Sequence, residues 1–193
     1  MNYQESLKSF FKQFDILTDT EIGIIMEGLT HRTIRKGEYF IGEGVISREF
    51  AFVKNGFFRH YIREVSGEEK TYRITFPHQM IAAYSSLVSG IETKECIEAI
   101  TDADLIVLSL DFLENNLGNN INWVKFSKAM VKIEYIELEK RVFSLLNETP
   151  KQRYLNLLEQ KPHYLQQIPL KYLSSYLGIS QRHLTRLRKE VTL

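Results

Sequence analysis

Residues 170–189 read LKYLSSYLGISQRHLTRLRK, and their spacing is that of two short helices crossing at a sharp turn. Such a turn favours glycine, because a positive φ costs little there; Gly178 occupies it. Ser174 lies four residues earlier, where the helices approach and a large side chain would clash. Leu173, Leu177, Ile179, Leu184 and Leu187 take the inward positions, and Ser180 is placed to cap the second helix. The pattern predicts a helix-turn-helix. The outward face of its second helix reads Gln181, Arg182, Thr185, Arg186 and Lys189. Arginine pairs with guanine, glutamine with adenine and lysine with phosphate. Ser180, His183, Lys189 and Arg188 are expected nearer the phosphates. A hairpin that merely packs would show the same steric pattern without the basic outer face.

Charge agrees with that reading. The chain of 193 residues has a formal net charge of +1. Residues 148–193 hold eight Lys/Arg (Lys151, Arg153, Lys161, Lys171, Arg182, Arg186, Arg188, Lys189) against three acids, a net of +5. The remainder holds 17 bases and 21 acids, a net of −4. A basic tail on an acidic body suits a polyanion partner, although a solvated basic helix would look similar. No apolar run approaches the roughly 20 residues of a membrane helix. The N-terminal MNYQESLKSFFKQF has no signal-peptide core. Both features predict a cytoplasmic protein that does not enter the membrane.

Upstream of the tail, three textures follow one another. Residues 3–14 predict a helix with Tyr3, Leu7, Phe10, Phe11 and Phe14 on one side. A second helix is expected at 18–29, with Thr18 and Glu21 forming a capping box. Residues 31–110 hold short β-rich segments with Gly37, Gly44, Gly56 and Gly67 at the turns, as in a sandwich or roll. Residues 111–147 read as one long helix with two apolar stripes. One is Trp123, Phe126, Met130 and Ile133; the other is Val131, Tyr135, Leu138, Val142 and Leu145. Two stripes fit a helix that packs on its own β-domain and on a partner helix, or one buried all round in a single core. Thr149 and Pro150 then suit the N-cap and first position of a new helix.

In this order, the segments resemble the family of the cAMP receptor protein and the fumarate–nitrate reduction regulator (Crp/Fnr). The likeness covers about residues 15–190. KGEYFIGEGVISREFAFVKNGFFRHY at 36–61 is similar to the family's opening strands. The resemblance implies an α+β fold: a cupin-like, cyclic-nucleotide-binding-like β-roll at 1–120, a dimerisation helix at 121–147 and a helix-turn-helix domain at 148–193. It also implies a homodimeric, sequence-specific transcription regulator whose partners are double-stranded DNA, RNA polymerase and an unidentified small-molecule effector.

Two departures qualify the likeness. Where the family has a Gly-Glu pair for ribose, Ala82 and Ala83 stand; where it has Arg-Ser for the cyclic phosphate, Thr93 and Lys94 stand. Lys94 offers a point charge without a guanidinium fork. The positions to watch for another ligand, an anion or an apolar molecule, are Ala82, Ala83, Tyr84, Ser85, Thr93 and Lys94. After Glu190 only Val191, Thr192 and Leu193 follow, too few for the family's β-wing, so wing contacts to DNA are expected to be missing. The sole cysteine, Cys96, excludes a multi-cysteine cluster and is expected to be a buried strand residue. His31, His60, His78, His163 and His183 lack paired metal-ligand spacing, and no nucleophile elbow or P-loop occurs. No cofactor, metal or catalytic residue is therefore expected, and the alternative function is a dimeric interaction protein that has lost DNA binding. Calorimetry with cyclic AMP is expected to show no micromolar binding. Each lost charged contact costs on the order of 2–4 kcal/mol, and a micromolar dissociation constant would overturn the expectation.

Overall fold

Both faces of the run ADLIVLS at 103–109 are apolar, and the computed structural model uses both. It describes residues 3–162 and 165–191; His163, Thr192 and Leu193 fall outside these, as does the side chain of Tyr3. In chain order the elements are α1 (Tyr3–Lys12), α2 (Asp19–Glu27), β1 (Leu29–Ile34), β2 (Tyr39–Ile41), β3 (Glu49–Asn55), β4 (Phe58–Arg63), β5 (Glu69–Thr75) and β6 (Met80–Ile81). They continue with α3 (Tyr84–Ser89), β7 (Glu95–Ala99), β8 (Ala103–Ser109), α4 (Leu110–Leu117), α5 (Ile121–Asn147), α6 (Pro150–Gln160), α7 (Leu170–Leu177) and α8 (Gln181–Val191). The strands form two four-stranded antiparallel sheets, ordered β1-β8-β3-β6 and β2-β7-β4-β5. This is the α+β roll the sequence predicts.

Successive side chains of a strand point to opposite faces, and β8 shows the consequence. Leu105 and Val107 enter the core between the sheets with Val53, Phe58, Ile81 and Ile97. Ile106 and Leu108 face the other way, into a core with Phe52 and the helical residues Leu7, Phe11, Ile25 and Phe126. Gly56 is held at φ +86°, and a Cβ there would lie 2.7 Å from the Asp102 carbonyl oxygen, so no larger residue fits this turn. Cys96 is buried on β7, as expected.

The Thr18–Glu21 capping box forms: Thr18 N donates to Glu21 Oε2 at 2.7 Å, and Glu21 N to Thr18 Oγ1 at 3.3 Å. Glu21 also accepts from Asn120 Nδ2 at 2.6 Å and from Asn122. This corrects the expectation of one unbroken helix over 111–147. The chain breaks at 118–120, and Asn120 caps a fresh helix by accepting from Asn122 N and Trp123 N at 2.8 and 3.0 Å.

On α5 the two stripes part company. Trp123 and Phe126 are buried and Met130 packs on the same core, whereas Ile133 is 40% exposed. The whole second stripe, Val131, Tyr135, Leu138, Val142 and Leu145, is exposed. No helix among the described residues is long and apolar enough to cross a membrane.

His60 is a buried titratable group of the roll, 1% exposed. Its Nε2 lies 2.8 Å from Thr75 Oγ1 and its Nδ1 3.1 Å from Glu95 Oε2, the oxygen to which Tyr72 also donates. Burial holds the imidazole below its ordinary pKa against the opposing pull of Glu95. A neutral ring satisfies the network, with Nδ1–H donating to Glu95 and Nε2 accepting from Thr75. The unfolded chain takes up this proton at about pH 6.5 and the folded chain at lower pH, so stability falls as pH drops through that window. Urea denaturation at about pH 7.5 and about pH 5.5 should show a larger loss for the wild type than for His60→Gln. Equal losses would exclude His60 as the cause.

Candidate nucleic-acid interface

The turn expected at Gly178 is present. Gly178 has φ +70° and its N–H donates to Ser175 O at 3.0 Å, while Ile179 N donates to Ser174 O at 3.0 Å. The carbonyls at the end of α7 are thus satisfied in the manner of a glycine C-cap. A Cβ at 178 would meet only ordinary contacts, the nearest 3.7 Å away, so conformation rather than space demands glycine. Ser180 Oγ accepts from His183 N at 3.2 Å and caps α8. Ser174, Leu173, Leu177, Leu184 and Leu187 are buried.

On α8 the outward residues Gln181, Arg182, Thr185, Arg186 and Lys189 are exposed together, and His183 is half-buried beside them. Thr185 Oγ1 donates to Gln181 O at 2.9 Å, and Arg186 Nε lies 3.7 Å from Glu190. That exposed pair is weak and leaves the guanidinium able to exchange partners. Arg188 turns inward, with Nη2 3.4 Å from Leu165 O.

Arg153 corrects the charge count of the tail. It is 9% exposed. Its Nε and Nη2 donate to Leu177 O at 3.1 and 2.9 Å, and Nη1 donates to Glu148 O at 2.5 Å and Ser144 O at 3.3 Å. One guanidinium therefore caps the C-terminal ends of α5 and α7, where a cation is favoured by both helix dipoles. It is not available to a polyanion.

A second arginine ties α7 to the roll. Arg59 on β4 is 4% exposed and pairs with Glu98 at 2.5 Å and Glu69 at 2.8 Å. Its guanidinium carbon lies 4.0 Å from the ring centres of both Tyr61 and Tyr172. Around it Phe57, Ile74, Phe76 and Ile100 of the roll share a core with Tyr154, Leu157, Leu173, Leu177 and Leu184.

The expected ligand positions do not converge. Ala82 and Ala83 are buried at the end of β6. Thr93 is buried with its hydroxyl accepting from Glu95 N at 3.1 Å, and Lys94 is exposed. Tyr84, Ser85 and Ala82 line a cleft of about 860 Å³ between the roll and α5, whose walls include neither Thr93 nor Lys94. The Arg73–Glu134 ion pair spans this cleft, one arm at 3.3 Å. No group of three or more metal-ligating side chains occurs among the described residues.

No protein-family model matches the sequence, and no curated protein does. Solved structures match well. FixK2 from Bradyrhizobium japonicum superposes with a TM-score of 0.75 at 20% identity, over 85% of this chain and 84% of that one. A protein from Eubacterium rectale described as a Crp/Fnr-family transcriptional regulator gives 0.71 at 18% identity, over 93% and 85%. The fold is that of the Crp/Fnr regulators. The sensor domain of the transcriptional regulator DNR from Pseudomonas aeruginosa gives 0.56 at 16% identity, over 77% of this chain and 97% of that one. The second and third of these structures are described as transcriptional regulators. Four residues of the site, Arg59, Arg73, Arg141 and Arg153, carried no motif in the sequence, since each works through a partner on another element.

Replacing Arg153 with methionine should cost about 3 kcal/mol, because carbonyls at two helix ends lose a charged donor. Urea denaturation measures this, and a loss under about 0.5 kcal/mol, the range of an ordinary surface change, would contradict the capping role.

Proposed function

We propose that this protein is a cytoplasmic, homodimeric, sequence-specific DNA-binding transcription regulator of the Crp/Fnr type, not controlled by cyclic AMP. Residues 148–193 form its DNA-binding unit. The observation that carries the reading is the joint exposure of Gln181, Arg182, Thr185, Arg186 and Lys189 on one face of a capped second helix. Gln181, Arg182, Thr185 and Arg186 face base edges; Ser180, His183 and Lys189 lie toward phosphates. The exposed stripe from Val131 to Leu145 supplies a two-fold parallel seam. Two recognition helices then enter successive major grooves about 34 Å apart. RNA polymerase is the further protein partner of a regulator of this kind. Independence from cyclic AMP rests on Ala82, Ala83, Thr93 and Lys94, none of which offers a ribose acceptor or a guanidinium fork.

Selection from a random duplex library at physiological salt tests the reading. It should return a near-palindrome with half-sites about 10 base pairs apart. Arg186→Ala should cost about 1–3 kcal/mol on the best site and relax one base pair per half-site. Lys189→Ala should weaken all sequences alike and lower the salt slope by about one per half-site. Leu138→Glu should give a monomer in sedimentation and lose the two-fold motif. Recovery of no motif, with Arg186→Ala indistinguishable from wild type, would favour the dimeric interaction protein instead.

A further inference from the structure

The first half of α5 carries lysines and no acid. Lys125, Lys128 and Lys132 stand three and four residues apart, so they share one side of the helix, and no Asp or Glu occurs between residues 115 and 133. All three lysines are exposed, and among the described residues none of them pairs with a carboxylate. The second half is built differently. Glu134 holds Arg73, Lys140 lies 2.8 Å from Glu137, and Tyr135 donates to Glu139 at 3.3 Å. A face that is merely solvated mixes charges of both signs in this way; the first half does not.

Lys128 also falls on the seam. The stripe Val131, Tyr135, Leu138, Val142 and Leu145 is spaced four, three, four and three residues. One step back along it is Lys128, and the next is Val124, 50% exposed. In a parallel pair of such helices each seam position meets its own copy, and the flanking positions of one helix meet those of the other. Lys128 then faces Lys128 of the second copy, Lys132 faces Ser127, and Lys125 faces Asn120. The register gathers the lysines of both copies beside the two-fold axis and brings no acid across the seam to meet them. Like charges held this close oppose association unless an anion lies between them.

We propose that this half of the seam is an oligophosphate site on the two-fold axis, held by Lys125, Lys128 and Lys132 of both copies and incomplete in either copy alone. The site rests on the parallel dimer. Its lysines span Lys125 to Lys132, about 10 Å of helix, the length of a short chain of phosphate groups rather than of a monovalent ion. Lysine binds phosphate as a point charge on a flexible stem, so it follows such a chain without a fixed angle. A ligand that only the dimer can hold tightens the dimer by mass action.

Sedimentation equilibrium of the intact chain with inorganic tripolyphosphate, against sodium chloride of the same ionic strength, tests this. Tripolyphosphate should tighten the dimer about tenfold or more beyond the chloride control. Lys128→Leu continues the apolar seam; it should dimerise more tightly than wild type at low salt and lose most of the tripolyphosphate response. Lys140→Gln, at a position opposite the seam, should keep the response. Circular dichroism checks the fold of each variant, and where Lys128→Leu does not fold, joint Lys125→Gln and Lys132→Gln should remove the response instead. A dimer that responds to tripolyphosphate no more than to chloride, or a response that survives in Lys128→Leu, overturns the proposal and leaves the two-fold seam standing. A monomer in every condition, Lys128→Leu included, removes the seam and the site with it.

Discussion

The hydrogen bonds from Arg153 to the carbonyls of Ser144, Glu148 and Leu177 fix how the long helix meets the helix-turn-helix. Helix ends expose carbonyls that need donors, and here two ends share one donor group. A planar guanidinium offers its N–H groups in fixed directions, so satisfying both ends sets the angle between them. Water would satisfy the same carbonyls without setting any angle. The exposed polar and basic face of α8 follows from α7 through the Gly178 turn, and the exposed stripe lies on α5. Any function that needs both faces in register depends on this joint.

The roll reinforces the joint from the other side. Strand β5 is the edge of its sheet, and edges invite unwanted pairing. Helix α7 covers it: Thr71 N donates to Ser175 Oγ at 2.9 Å, and Ser175 Oγ reaches back toward Glu69 O at 3.5 Å. Arg59 then stacks between a tyrosine of the roll and one of α7. A guanidinium this buried is costly unless charges and ring faces surround it; Glu98, Glu69 and Tyr61 belong to the roll, and the second ring face, Tyr172, is supplied only when α7 is docked. Burial of Arg59 thus depends on the position of α7, and the helix-turn-helix is held as part of the roll rather than hung from a linker.

The helix-turn-helix was legible because its determinants are local. Ser174, Gly178 and Ser180 act within a few residues of themselves, and the inward leucines follow helical period. The Thr18–Glu21 box was legible for the same reason, as was β8, whose unbroken apolar run is what two buried faces require. The break at 118–120 was missed although Gly118 and Asn120 were in view, because the apolar period continues across it. What anchors the new helix is Glu21, about a hundred positions away. Arg153, Arg59 and Arg141 count only as charge in the sequence, since their partners are backbone carbonyls, carboxylates or rings on distant elements, which leave no pattern there. Lys94 was singled out by its place in an aligned motif, but its side chain faces solvent.

Helix α5 reconciles these demands by changing role along its length. Near its start, Trp123 and Phe126 are spent on the chain's own core. In the middle, Glu134 holds Arg73 of the roll across the cleft. Toward the end, Arg141 and the carbonyl of Ser144 face α7 and α6. The stripe from Val131 to Leu145 runs alongside all three zones and is left uncovered. Tyr135 and Leu138 belong both to that stripe and to the wall of the cleft. A second copy packed on the stripe would therefore share a wall with whatever occupies the cleft. Because packed side chains have few alternative arrangements, a ligand that shifted Leu138 would alter the seam and the roll together. The cleft, the exposed stripe and the helix-turn-helix are then joined without a long pathway, since α5 lines the first, carries the second and meets α7 of the third.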